Sequence, residues 1–285
     1  MTEPVVEGEI VASGLRFPEG PVWRDGGVVL TEILGGVVSR WTEAGGVVPV
    51  ASTGGGPNGA AVGPEGAIYV AQNGGMAGTR VTAGIQRIGP AGDVTMVVTS
   101  VDSLTLDRPN DLAFGPDGRL WFTEPRGEAD PARNALPGRL FAVDPTTGTG
   151  ELILELGPVF PNGIAFLADG SLVWTESFTR RVMHLGAGGP QTLIELPERH
   201  APDGLCVGAD GRLYVASTYA HCVSVVEDGV VVERLVCGDG MVTNCCFGGT
   251  DLYATDARRG TLWRFALGRA GLQLRSGEPA PGDQA

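Results

Sequence analysis

Short apolar runs recur along the whole chain, each cut by a glycine-containing turn, and nowhere do apolar positions keep the spacing of an amphipathic helix. The runs fall into copies. PNGAAVGPEGAIYVAQ (57–72), PNDLAFGPDGRLWFTE (109–124), PNGIAFLADGSLVWTE (161–176) and PDGLCVGADGRLYVAS (202–217) share one frame. PEGPVWRDGGVVLTE (18–32) is a shortened fifth copy and TNCCFGGTDLYATD (243–256) a degenerate sixth. Each reads as a hairpin: an apolar strand, a turn, then a strand rich in β-branched and aromatic residues. Two further strand-like pieces follow each hairpin, such as RLFAVDP then ELILEL, or CVSVV then VVVERLV.

Six units of four antiparallel strands predict an all-β, six-bladed β-propeller. It would span residues 1–275 as one domain, with 276–285 as a disordered tail. EIVASGLRFPEG resembles the inter-blade segment PVASTGGGPNG. Residues 7–13 are therefore expected to supply the outer strand of the last blade against 260–268, closing the ring and removing its exposed edges.

In such a ring the first strand of each blade lines the axial channel. The residues opening those strands are Glu19, Asn58, Asn110, Asn162, Asp203 and Asn244, spaced 39, 52, 52, 41 and 41 residues apart. Two carboxylates among four carboxamides are hard oxygen donors, suited to Ca2+ or Mg2+ rather than a softer metal. Asn-Gly and Asp-Gly also form turns, a competing explanation that Glu19 does not suit. A second polar set ends the second strands: Glu32, Gln72, Glu124, Glu176, Ser217 and Asp256. These are expected around the same mouth at larger radius. The two long spacings come from insertions at 73–84 and 125–138, both placed to overhang the mouth as lids or substrate walls.

Composition narrows the partners. The 285 residues carry 20 basic side chains, all arginine, against 33 acidic ones, a net charge of −13 that argues against nucleic acid and anionic membrane surfaces. The 46 glycines fit the many turns. The N-terminal MTEPVVEGEIVASG has no signal-peptide pattern, and no apolar run is long enough to span a membrane. Five cysteines, an odd number without C-x-x-C spacing, read as reduced thiols packed in strands. Adjacent Cys245 and Cys246 should face opposite sides of their strand. A cytoplasmic protein acting on a small molecule is expected. There is no G-x-S-x-G motif for a serine nucleophile.

FPEGPVW, RPNDLAFGPDGRLWFTEP, FPNGIAF and APDGL, in that order, resemble the SMP-30/gluconolactonase/LRE-like family across nearly the whole chain. The segment after FTEP is more similar to bacterial gluconolactonases than to the animal proteins. The resemblance implies a six-bladed propeller with one divalent cation, Ca2+ first and Zn2+, Mn2+ or Mg2+ as alternatives. It further implies Glu19, Asn162 and Asp203 as metal ligands, Asn110 as a further ligand or substrate contact, and Arg108 as a substrate-binding residue.

The expected activity is opening of a small lactone, of sugar type or similar, by a metal-polarised carbonyl and activated water. Asp203 is the first candidate base and Glu19 the second. Glu124 and His200, which lies three residues before Asp203, join Arg108 and Asn110 as expected substrate contacts. His200 and His221 are also candidate proton shuttles, and His184 is read as structural. Phosphotriester hydrolysis or other metal-dependent chemistry on the same ring is the alternative. So is a non-catalytic binding module with a structural ion.

Overall fold

The computed structural model describes residues 3–63, 65–75 and 78–273, and the expected C-terminal tail lies outside them. Six antiparallel four-stranded units follow one another around an axis, each meandering from the channel outward. In blade one the strands are Pro18–Arg24, Gly27–Glu32, Val37–Thr42 and Gly46–Ser52. Blade six runs Val242–Gly248, Asp251–Asp256 and Thr261–Phe265, and Glu9–Ser13 completes it antiparallel to Thr261–Phe265. The expected closure is therefore present. An addition was not foreseen: Val5–Glu7 pairs in parallel with Val230–Val236, so the N-terminal segment clasps blades five and six together.

The core is split into six layers, one between each pair of neighbouring blades. Each inner sheet is thus covered on both faces, which is why second strands such as Ile68–Gln72 and Leu172–Glu176 are buried along their full length. Cys245 packs into the layer between blades five and six, and Cys246 into that between six and one, as strand alternation requires. All five cysteines are free thiols. No helix among the described residues is long and apolar enough to cross a membrane.

Two kinds of glycine emerge. Gly66, Gly118, Gly170 and Gly211, at equivalent hairpin turns, take φ of 78, 77, 82 and 83°, a conformation that favours glycine. The glycines after the channel-lining residues do something else. A Cβ on Gly59 would strike the Asp111 carboxylate, one on Gly163 the Asp203 carbonyl, and one on Gly204 the Asn244 carboxamide. These glycines leave room at the crowded axis rather than making turns.

Candidate active site

The first strands bulge where they enter the channel. Register shifts fall between Glu19 and Val22, Pro57 and Ala60, Pro161 and Ile164, and Pro202 and Leu205. A bulge turns a side chain away from the ladder, and here it sends the opening residue toward the axis. A cavity of about 320 Å3 results, with Glu19, Asn58, Asn110, Asn162 and Asp203 on its walls beside Arg108. Both insertions contribute to it, Asn73 from one and Ala129 and Pro131 from the other.

Asn244, the sixth member, is set deeper. Its Nδ2 donates to Glu19 Oε2 and to Asp111 Oδ2, each at 3.2 Å. Asp111 is a functional candidate that sequence reasoning missed. It occupies the position held by glycine in four copies, Gly20, Gly59, Gly163 and Gly204. That departure within the repeat was the available signal.

Glu19, Asp111 and Asp203 form a buried acidic group. Burial, with Asp111 beside it, pushes Glu19 up to about 8. Burial raises Asp111 to about 6, opposed by the Leu112 amide and the Asn244 carboxamide. Asp203 is held well above the usual carboxylate range by burial and by the charges of Glu19 and Asp111, with partial relief from Asn162. Among the described residues no arginine compensates any of the three. Buried carboxylates in this situation either keep a proton or take up an external cation.

The chemistry of the donor set fits a hard divalent cation. The described residues hold no group of three or more His, Cys, Asp and Glu that would ligate a metal by itself. Carboxamides must complete the set, and Asn58, Asn110 and Asn162 share the cavity wall with the two carboxylates. These oxygens would suit Ca2+.

The second polar set departs from expectation. All six members are buried and none lines the cavity. Four of them hold the loops that enter the first strands, while Glu176 accepts from Trp174 and Thr179 and Ser217 bonds within its own blade. Glu32 Oε2 accepts the Arg16 amide at 2.8 Å, Gln72 Oε1 the Gly56 amide at 2.6 Å, and Asp256 Oδ1 the Met241 amide at 2.9 Å. Glu124 Oε1 accepts Asp107 N at 2.7 Å and Arg108 N at 3.4 Å, so the structure places it behind Arg108 rather than beside a substrate. The reason is strand alternation: one residue further on, Ile33, Asn73, Ser177 and Thr218 do face the cavity.

His200 is buried too, and also outside the lining. Its Nδ1 lies 3.0 Å from Ser224 Oγ, which is 2.8 Å from Ser217 Oγ. Where blade five has only a short serine in the second set, the entry loop reaches back with its own histidine. Burial and nearby Arg234 lower its pKa. Of the other histidines, His221 Nδ1 contacts the Gly240 carbonyl at 2.5 Å, and His184 pairs with Val173 inside blade four.

Fold and site together define a six-bladed propeller with an acidic, carboxamide-rich centre under one open mouth. The family model for the SMP-30/Gluconolactonase/LRE-like region matches residues 17–265, and the chain belongs to that family. It is 26% identical over 280 residues to a gluconolactonase of Zymomonas mobilis, covering 84% of this chain and 75% of that one. To the diisopropyl-fluorophosphatase of Loligo vulgaris it is 26% identical over 182 residues, 57% of this chain and 58% of the other. The solved structure of a calcium-binding regucalcin from Agrobacterium tumefaciens shares the fold with TM-score 0.76 at 19% identity, covering 98% and 99% of the two chains.

Proposed function

We propose that the protein is a divalent-cation-dependent lactonase opening a small lactone. The observation that carries the reading is the buried set Glu19, Asp111 and Asp203, uncompensated by arginine among the described residues, with Glu19 and Asp203 lining a cavity of small-molecule size. Similarity to a gluconolactonase supports it.

Glu19, Asn162 and Asp203, with Asn110, would hold the cation. Bound there, it would polarise a carbonyl oxygen and lower the pKa of a water. The remaining work belongs to the chain. Asn244 and the Gly20 amide both donate to Glu19 Oε2, which fixes that carboxylate at the axis. The Asp203 carboxylate, on the cavity wall beside the substrate position, accepts a proton from the attacking water. The water oxygen bonds to the carbonyl carbon, the ring C–O bond breaks, and the proton passes to the departing alkoxide. Arg108, on the same wall, donates to a substrate oxygen.

The test is a panel of lactones assayed after chelation and re-addition of Ca2+, Mg2+, Mn2+ or Zn2+, with Asp203→Ala alongside. Metal-restored turnover absent from the variant supports the reading. Turnover of diisopropyl fluorophosphate alone would shift it to organophosphate hydrolysis, the second reading, which similarity to the Loligo vulgaris diisopropyl-fluorophosphatase favours. Cation-dependent melting with no turnover on either panel would leave a binding module with a structural ion.

A further inference from the structure

The residue two positions before each channel-lining residue also recurs around the mouth: Phe17, Gly56, Arg108, Phe160, Ala201 and Val242. Four of the six line the cavity. The two phenylalanines belong to blades one and four, which stand opposite each other in a six-membered ring.

Both are held in an unusual backbone state. Phe17 has φ of 62° and Phe160 of 56°, left-handed values at bulky residues that precede proline. No other member of the set is left-handed. Such a residue persists only where its surroundings over-determine it. Here two successive bonds clamp each segment. The Ile33 amide donates to the Phe17 carbonyl at 3.0 Å and the Leu34 amide to the Arg16 carbonyl at 3.1 Å. The Ser177 amide donates to the Phe160 carbonyl and the Phe178 amide to the Val159 carbonyl, each at 3.1 Å. Gly56 and Ala201 accept only the first of these bonds, from Asn73 and Thr218. The same strain thus appears at two opposed places, each time directing an aromatic ring to the mouth. Phe178 packs against Phe160 in a tilted arrangement, centroids 4.8 Å apart and planes at 31°, and Ile33, Met241 and Tyr219 extend the apolar wall.

A polyhydroxylated sugar lactone matches this wall poorly, because each hydroxyl buried against hydrocarbon without a partner costs about 1–3 kcal/mol. We infer that Phe17 and Phe160 form an apolar jaw that selects a lactone bearing a flat or alkyl apolar group, its ester oxygens directed to the acidic floor. This deepens the lactonase reading and rests on it for turnover, though not for binding.

The experiment compares kcat/KM for 3,4-dihydrocoumarin and glucono-1,5-lactone in the wild type, Phe17→Ala, Phe160→Ala and the matching Leu variants. A wild-type preference for dihydrocoumarin of about tenfold or more is expected, falling about fivefold in each Ala variant and largely regained with Leu. Preference for the sugar lactone overturns the inference. So does an unchanged preference in folded Ala variants. If no lactone is turned over with any cation, the lactonase reading fails and 2-tetralone, the ketone analogue of dihydrocoumarin, decides the jaw. Saturable binding lost in the Phe17→Ala/Phe160→Ala double variant supports it, and no binding overturns it.

Discussion

The Thr123 hydroxyl, at the end of a blade-three strand, donates to the backbone carbonyl of Asn162 in blade four at 2.6 Å. Thr31 does the same to Asn58 at 2.6 Å and Thr175 to Asp203 at 2.7 Å, so three blades each fix the next blade's channel residue. Thr243 carries the lock from blade six to Pro18 of blade one at 3.0 Å. Position at the axis is thereby an inter-blade property.

Thr123→Val keeps the shape and removes the donor, leaving the buried Asn162 carbonyl without it. A loss of about 1–2 kcal/mol is expected by denaturant unfolding, with reduced cation affinity by calorimetry. Unchanged affinity would show that the lock serves folding alone.

Stability of the cation-free protein should fall as pH rises. The raised pKa values of Glu19 and Asp111 mean that the folded state binds protons more tightly than the unfolded one. Their penalty is absent at pH below the unfolded values of 4.5 and 3.8, and develops as pH rises toward about 8 for Glu19 and about 6 for Asp111. A bound dication removes it. The melting-temperature gain on adding Ca2+ should therefore grow from pH 5 to pH 8. A gain independent of pH would place the cation elsewhere.

Asp111→Asn separates charge from shape. It removes a buried charge that raises Glu19, so the cation-free protein at pH 8 should become more stable. Cation affinity should drop about tenfold, equivalent to about 1.4 kcal/mol. Denaturant unfolding of the cation-free pair at pH 8 reads the first sign, and titration calorimetry with Ca2+ the second.

Glu124→Ala deletes the acceptor for the Asp107 and Arg108 amides. Because Arg108 lines the cavity, KM should rise several-fold more than kcat falls, with a stability loss of about 1–3 kcal/mol. A fall in kcat alone would mean that Glu124 acts on the reacting atoms.

The repeat in the sequence was enough to fix six blades, the ring-closing strand and the frame of channel residues. Hairpin chemistry and strand alternation are local, and they propagate through each copy. Which side chains meet at the axis was not local. Asn244 sinks below the mouth, Asp111 enters the gap that Gly59 leaves, and the second polar set turns into the blades while its neighbours face the cavity. The Val5–Glu7 strand is likewise invisible in a three-residue segment, since its pairing with Val230–Val236 joins distant parts of the chain. Sequence alone determined the order and spacing of the strands. Only the closed ring decided burial, because six chains of contacts must share one narrow axis, and there a bulge or a missing Cβ sets where a carboxylate points.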